Sequence, residues 1–255
     1  MDSVLEVKEI NKAYISRGKK IQAVKDMSFQ IYKGECLGLL GESGCGKSTI
    51  AKMIARLEPV DSGKISLDGK DITYAAGKIL RQVYRSVQMV FQAPLESFNP
   101  RLKLGEGIME SMINQGISRR EAKVRAGEYL EMCGLTKAFA NRYPHQVSGG
   151  ECQRASIARA ISIKPKLLIC DEATSALDVT VQAQILKLMK ELKQEMDMTY
   201  FLISHDIALV QEICDRVLVM YQGEVIEEGT PNEIIMNPQQ EYTKKMIDAV
   251  FKISL

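Results

Sequence analysis

The residues with the clearest chemistry lie in one short segment, GESGCGKST, which has the spacing of a phosphate-binding loop. It fits the pattern G-x-x-x-x-G-K-[ST], in which glycines let backbone N–H groups close around phosphates. In this pattern Lys47 reaches the outer phosphates and the Ser48 hydroxyl ligates Mg²⁺. A flexible surface turn is the alternative, but an apolar run precedes the segment and a helical pattern follows it. The predicted phosphate-binding residues are Gly41, Glu42, Ser43, Gly44, Cys45, Gly46, Lys47, Ser48 and Thr49.

Two adjacent carboxylates, Asp171 and Glu172, end the apolar run LLICDE. A phosphate-binding loop needs an acidic partner for its metal, and Asp171 can hold Mg²⁺ through water. Glu172 can then polarise the attacking water as a general base. Taken alone, such a run would be a solvated strand end. Together with the loop, it predicts a site that activates both a metal and a water molecule.

A second glycine-rich segment, VSGGECQR, opens a predicted helix. Ser148 and Glu151 have the spacing of a capping box, which accounts for both residues. It does not account for Gly149 and Gly150, because glycine in a helix costs about 1 kcal/mol relative to alanine. Glycines are useful where something comes close to the backbone, and a helix N-terminus attracts anions. The segment therefore suggests a second phosphate contact.

Hydrophobic patterning predicts the elements that carry these segments. Alternating runs at 4–10, 27–31 and 64–67 indicate a small antiparallel sheet, and the apolar run at 36–40 indicates a buried parallel strand. Helical patterns dominate 104–135, with Ser118 as N-cap and Gly134 as stop. Strands then alternate with helices, which predicts a parallel sheet with right-handed crossovers. The later strands are expected at 167–170, 199–203 and 217–220, and the helices at 181–195 and 207–214.

The composition is that of an ordinary globular protein, and the net charge of +2 gives no reason to expect a nucleic-acid partner. The N-terminus alternates like a strand and lacks the apolar core of a signal peptide. No apolar run approaches the roughly 18 residues that span a bilayer, so we expect any membrane role to require a partner. The cysteines lack C-x-x-C pairs and are expected to be buried thiols in a reducing cytoplasm.

Five motifs in order resemble the ATP-binding cassette (ABC) ATPases: GESGCGKST, Gln92 in MVFQAP, VSGGECQR, LLICDEATSALD and ISHD at 203–206. The resemblance runs from about residue 5 to 229. It implies an α/β P-loop NTPase core with a small antiparallel β subdomain and a helical insert. The implied division is one ABC ATPase domain at 1–229 and a C-terminal helical tail at 230–255. Within that domain the core and β subdomain occupy 1–91 and 160–229, and the helical subdomain about 92–159.

The resemblance also implies ATP and Mg²⁺ as cofactors and a second cassette as partner. In that family two cassettes pair head to tail, and the serine-glycine helix of one covers the ATP held by the other. The residues expected to contact a neighbour's nucleotide are Ser148, Gly149, Gly150 and Glu151. The facing cassette is either a copy of this chain or a different one.

Four further roles follow from the resemblance. Tyr14 would stack on adenine, Gln92 would contact metal and water, His205 would contact the γ-phosphate, and Asp178 would act across the dimer. Taken alone, these residues have plainer interpretations: a packing tyrosine, a polar strand end, a structural histidine and a helix cap. The implied catalytic set is Glu172, His205 and Gln92, and the implied metal set is Ser48, Gln92 and Asp171.

Three details are specific to this sequence. Glu151 stands where the family usually has glutamine, but closure of the capping box would turn its carboxylate away from a phosphate. Ala173 stands where proline is usual, which removes no catalytic group. His145 is assigned to structure.

FQAPLESFNPRL and DVTVQAQIL resemble the peptide and nickel importer branch of the family. Because the chain ends without a cysteine-bearing extension, nickel is slightly favoured over peptide as the cargo. The implied partners are a membrane permease and, indirectly, an extracytoplasmic substrate-binding protein, with the chain peripheral on the cytoplasmic face of the membrane. Two alternatives remain open: a cassette of a cytoplasmic complex like the carbon–phosphorus lyase, and a soluble ABC ATPase of repair or translation.

Overall fold

The computed structural model describes residues 2–16, 18–174 and 177–252. Its strands are β1 (Ser3–Ser16), β2 (Lys19–Tyr32), β3 (Cys36–Leu40), β4 (Ser62–Leu67), β5 (Lys70–Asp71), β6 (Val87–Val90), β7 (Leu167–Asp171), β8 (Thr199–Ile203), β9 (Arg216–Tyr221) and β10 (Glu224–Gly229). Its α-helices are α1 (Lys47–Ile54), α2 (Gly77–Ser86), α3 (Leu104–Ile113), α4 (Arg119–Met132), α5 (Gly149–Ile161), α6 (Val179–Met196), α7 (Ile207–Ile213), α8 (Pro231–Met236) and α9 (Glu241–Lys252). None of these helices is both long enough and apolar enough to cross a membrane.

The predicted antiparallel sheet is present, in the strand order β2-β1-β4-β5. Its first hairpin is longer than the sequence pattern indicated, since β1 continues to Ser16 rather than ending near Ile10. Register shifts between Val7 and Ala13, with Glu9 at a φ of 47°, interrupt the two-residue alternation while strand pairing continues. Hydrophobic alternation therefore stops before the strand does.

The second sheet has the order β10-β9-β3-β8-β7-β6, and its strands from β9 to β6 run parallel. This confirms the predicted α/β fold. The carboxyl ends of β3, β7 and β8 lie side by side, with Leu39 and Asp171 both in register with Ile203. In open parallel sheets this edge is where ligands bind. The glycine loop, the acidic pair and the ISHD segment all follow these three strand ends.

Two buried apolar clusters cover the parallel sheet on both faces. One lies toward the antiparallel sheet and includes Ile50 of α1 and Phe201, which stacks on Phe29 with ring centroids 5.4 Å apart. The other lies toward α3 to α7 and includes Tyr200. Consecutive residues of β8 thus pack into the clusters on opposite faces of the sheet. Both faces of the strand are buried, so its sequence is continuously apolar. All six cysteines are free thiols; five are buried, as predicted, and Cys45 of the glycine loop is half-buried.

The helical insert predicted at 104–135 consists of α3 and α4, packed against α5. The Ser118 side chain accepts a hydrogen bond from the Glu121 N–H at 3.2 Å and caps α4. Gly134, at a φ of 73°, lies just beyond the helix end. The short helix α2 was not predicted, since Val83 is the only buried residue among the described residues of this helix.

Candidate active site

The glycine loop joins β3 to α1 and owes its shape to strand β2. Gly46 has a φ of 112°, and a Cβ there would lie 2.1 Å from the carbonyl oxygen of Ala23. Glycine is therefore required at 46 for both backbone conformation and packing. No side chain caps α1 at Gly46, so the helix presents its N-terminal N–H groups, with their positive end of the dipole, to the loop.

Lys47 is buried with its ammonium group held inside the loop. Nζ donates hydrogen bonds to the carbonyl oxygens of Gly41 and Glu42, both at 2.8 Å. Hydrogen bonds in which the donor or the acceptor is ionised are about twice as strong as those between neutral groups. A phosphate oxygen also carries a negative charge, which a carbonyl oxygen lacks, and would therefore compete well with these two carbonyls for the ammonium.

Ser48 and Asp171 meet at the carboxyl edge of the sheet. The Ser48 hydroxyl donates to Asp171 Oδ1 at 3.0 Å, and Asp171 is only 8% exposed. One hydroxyl and one carboxylate fit Mg²⁺, which usually takes few protein oxygens and completes its shell with phosphates and water. The described residues hold no cluster of three or more His, Cys, Asp or Glu that could hold a metal ion.

Burial raises the pKa of Asp171, an effect that the Ser48 hydrogen bond partly offsets. A carboxyl group with a raised pKa in the folded chain lowers stability once it ionises, so stability falls as the pH rises through its unfolded and folded pKa values. We expect Asp171→Asn to raise the thermal midpoint at pH 7 by a few degrees, measured by scanning fluorimetry without ligands.

The matched control is Asp61→Asn. The Ala13 N–H donates to Asp61 at 2.7 Å and, with Lys12, holds the pKa of this carboxyl below its usual value. Its charge stabilises the fold above the unfolded pKa, a contribution lost as the pH falls, so its removal should lower the midpoint. A fall in both variants would contradict the assigned role of burial at Asp171.

Glu172 follows the end of β7 and lies beside His205. Its φ of 46° is unusual for a non-glycine residue, and its N–H donates to the Ile203 carbonyl at 3.0 Å. Its Oε1 lies 3.5 Å from Nδ1 of His205, whose side chain is 59% exposed. Strained backbone of this kind is concentrated at functional sites. The two residues predicted to act on the reacting phosphate are thus neighbours.

A cavity of about 430 Å³ lies over the loop. Tyr14, Gln92 and Glu172 line it together with loop residues that include Lys47 and Ser48. Tyr14 and Gln92, far apart in the sequence, therefore face the same space as the glycine loop. The cavity is large enough for part of a small-molecule ligand.

Sequence reasoning missed two residues of this cavity, Ile21 and Ala23 on β2. Ile21 is the cross-strand partner of Tyr14 and is 53% exposed. A predicted hairpin with the correct register would have paired Tyr14 with Ile21. The register shifts in β1 prevent that register from being predicted from the hydrophobic pattern.

The VSGG segment forms the predicted capping box. Ser148 Oγ accepts from the Glu151 N–H at 3.3 Å, and the Glu151 carboxylate accepts from the Ser148 N–H at 2.8 Å. The carboxylate is thus turned back onto its own helix, as expected. None of the four residues lines the cavity over this chain's own glycine loop.

The two glycines of this segment differ in their surroundings. A Cβ at Gly150 would lie 2.5 Å from Cγ1 of Val181, so packing within the chain already requires glycine there. Gly150 thus has a packing role within the chain, and its contact with a neighbour's nucleotide stays a prediction. Gly149 is exposed, and among the described residues its Cβ would meet Leu177 at 3.8 Å, an ordinary contact. Packing against the described residues therefore does not require glycine at 149.

Asp178 caps α6, with its carboxylate accepting from the Val181 N–H at 3.0 Å. Ser175 and Ala176 of the ATSALD segment lie outside the described residues. His145 stacks on Tyr143 with ring centroids 5.6 Å apart, in keeping with its structural assignment.

Comparison with known proteins places these features in a family. A model described as ABC transporter matches residues 24–175. The chain is 43% identical over 247 residues to the oligopeptide transport ATP-binding protein OppF of Salmonella typhimurium, covering 96% of this chain and 74% of that protein. OppF of Bacillus subtilis is 42% identical, with coverage of 98% and 83%. The glutathione import ATP-binding protein GsiA of Pectobacterium atrosepticum is 44% identical, over 91% of this chain and 37% of that protein.

Solved structures agree with the sequence comparison. The dimeric ATP-binding cassette MJ0796, bound to ADP and Pi, superimposes with a TM-score of 0.82 at 31% identity. The match covers 89% of this chain and 98% of that one. A structure of cbiO1 from Clostridium perfringens, part of an ABC transporter complex, covers 100% of this chain with a TM-score of 0.81.

Proposed function

This chain belongs to the ABC transporter family as a cassette that binds and hydrolyses ATP, and we propose that it drives the import of peptides through a membrane permease. One observation carries the assignment of its site. Lys47, Ser48, Asp171 and Glu172 converge at the carboxyl edge of the parallel sheet, beneath the cavity that Tyr14 lines. The relatives named for oligopeptide and glutathione import support peptides as the cargo over nickel.

In the proposed mechanism, Tyr14 packs on the adenine, and the loop amides and Lys47 bind the phosphates. Ser48, Gln92 and Asp171 are the residues that would hold Mg²⁺, which neutralises phosphate charge when bound. Glu172 accepts the proton of the attacking water, and His205 beside it contacts the outer phosphate.

Cassettes of this family work as dimers, and we propose that the second cassette completes this site. The segment from Ser148 to Glu151 of one cassette covers the nucleotide of the other, and Asp178 lies in the same interface. Gly149 supports this arrangement because its exposed backbone leaves room for an approaching phosphate.

Gly149→Ala tests the arrangement. The new methyl group fits within the chain, and alanine favours a helix over glycine, so the thermal midpoint should stay constant or rise slightly. ATP-dependent dimer formation and hydrolysis should nevertheless fall at least about tenfold, because the contact with the neighbour's phosphate is crowded. Size-exclusion chromatography with ATP and a phosphate-release assay measure the two effects.

Gly150→Ala is the comparison, because its methyl group would collide with Val181 and should lower the thermal midpoint. Full dimer formation by Gly149→Ala would reduce the VSGG segment to a helix cap.

The segment at 92–101 is proposed to transmit motion between the nucleotide and the permease. Arg159 of α5 donates to the Ser97 carbonyl at 2.5 Å and lies 4.3 Å from the Phe98 ring centroid. Thus the loop that begins at Gln92 is attached to the helix that begins after Ser148. A cavity of about 310 Å³ beside this segment gives a permease a place to dock.

Further expectations complete the proposal. The chain would be a peripheral subunit on the cytoplasmic face of the membrane, coupled through the permease to an extracytoplasmic substrate-binding protein, without a nucleic-acid partner. Residues 1–229 would form the ATPase domain and 230–255 a helical tail.

Uptake by cells that lack the gene tests the cargo. Expression of the chain should restore uptake of a labelled oligopeptide and leave labelled nickel uptake unchanged. The Glu172→Gln variant should not restore oligopeptide uptake. Restored nickel uptake alone would overturn the peptide assignment. Co-purification of permease polypeptides from solubilised membranes supports an importer, whereas co-purified lyase proteins would support the carbon–phosphorus lyase alternative.

A further inference from the structure

The tail helix α9 contacts the phosphate-binding loop directly. The hydroxyl oxygen of Tyr242 accepts a hydrogen bond from the N–H of Glu42 at 3.0 Å. The two residues are 200 positions apart. The Tyr242 ring also packs against Tyr221 at the end of β9, with ring centroids 4.3 Å apart. A residue beyond the matched family segment thus contacts the second residue of the loop.

The start of α9 is firmly attached to the rest of the chain. The Glu227 carboxylate on β10 accepts hydrogen bonds from the N–H groups of Gln239 at 2.7 Å and Gln240 at 3.1 Å. Thr243 is 0% exposed, and Ile247 packs in the helical core. The position of Tyr242 is therefore fixed from both sides along the chain.

The contact acts on the peptide unit that joins Gly41 to Glu42. Its carbonyl oxygen accepts the Lys47 ammonium at 2.8 Å, and its N–H donates to Tyr242 at 3.0 Å. A peptide unit is planar, so its N–H and C=O turn together and point in opposite directions in the trans form. Tyr242 on one side and Lys47 on the other therefore hold the same rigid plane.

We infer that Tyr242 is a positioning residue for nucleotide binding, which holds the 41–42 peptide plane in the orientation that presents the loop and Lys47 to the phosphates. This role rests on the proposed function, in which the loop is the nucleotide site. Affinity increases when a binding loop is held in its bound shape beforehand, because less order has to be gained on binding. The tail thereby contributes to the ATP site without touching the nucleotide.

Tyr242→Phe removes the hydroxyl and keeps the ring against Tyr221. We expect dissociation constants for ADP and a non-hydrolysable ATP analogue, both with Mg²⁺, to rise about three- to tenfold, the size of one neutral hydrogen bond. Calorimetric titration of the purified chain measures them. The KM for ATP should rise by a similar factor while kcat at saturating ATP stays constant, since Glu172 and its surroundings are unchanged.

The matched control is Tyr74→Phe, which removes a hydroxyl from a tyrosine that is 71% exposed and should change neither constant. A Tyr242→Phe variant that binds nucleotide as well as the unmodified chain, or more tightly, overturns the inference. If Tyr242→Phe also loses thermal stability, the separate effects on KM and kcat distinguish lost positioning from a general loosening of the fold. General loosening lowers kcat as well, whereas lost positioning raises KM alone.

Lys47→Ala in the same titration separates this inference from the proposed site. Unchanged binding by Lys47→Ala would remove the loop as the nucleotide site. Weak binding by Lys47→Ala with normal binding by Tyr242→Phe would remove only the role of Tyr242.

Discussion

Replacement of Lys47 by alanine is expected to lower the affinity for ATP at least about a hundredfold. Lys47 is only 4% exposed, and its ammonium is held by the carbonyl oxygens of Gly41 and Glu42. Its removal takes away the cation that faces the phosphates and leaves both carbonyls without this donor. Charge-assisted hydrogen bonds contribute about 1.5–3 kcal/mol each, so the loss of two between the ammonium and the phosphates corresponds to a hundredfold or more.

Calorimetric titration with ATP analogues measures this loss, and the control is Lys52→Ala on the same helix. Lys52 is exposed, one turn further along α1, and its replacement changes the net charge equally. Equal effects of the two replacements would show that only long-range charge matters. Tight binding by Lys47→Ala would contradict the assignment of the loop.

Glu172→Gln is expected to bind ATP normally and to hydrolyse it at least about a hundredfold more slowly. Glutamine preserves the size of the side chain, and the backbone bond from residue 172 to the Ile203 carbonyl is unaffected. The amide cannot accept the proton of the attacking water, and a positioned base contributes about 10²–10⁴ in rate. The ATP-bound dimer should therefore accumulate.

Phosphate release and size-exclusion chromatography with ATP and Mg²⁺ report the two consequences. Glu195→Gln, an exposed position on α6, makes the same chemical change away from the site and should hydrolyse ATP normally. An unchanged rate in Glu172→Gln would exclude Glu172 as the base.

The sequence predicted those parts of the site that are formed by residues close together along the chain. The glycine loop lies between a strand and a helix, and Asp171 ends an apolar strand, so neighbouring residues are enough to identify both. In an open parallel sheet both features lie at the carboxyl edge of the strands, where ligands bind. The capping box of Ser148 and Glu151 is equally local, since its two hydrogen bonds join residues three positions apart.

Three features that sequence reasoning missed depend on contacts between distant segments. Ile21 and Ala23 line the cavity because of the register of the β1–β2 hairpin. Bulges in β1 shift that register. A Cβ at Gly150 would collide with Val181 of another helix. Tyr242 and Glu42 have no shared pattern in the sequence, and only the packing of α9 brings them together.

The contact of Gly150 with Val181 has a consequence for how the cassette responds to its neighbour. It sets the starts of α5 and α6 against each other at a separation that admits no extra methyl group. Gln182 of α6 in turn donates to Asp206, the cap of α7 and the residue after His205, at 2.9 Å. Ser148, Asp178 and the segment after His205 thus lie at the starts of three helices, α5, α6 and α7, that contact one another in series. A displacement at the start of α5 would therefore reach the residue next to His205 through only two contacts.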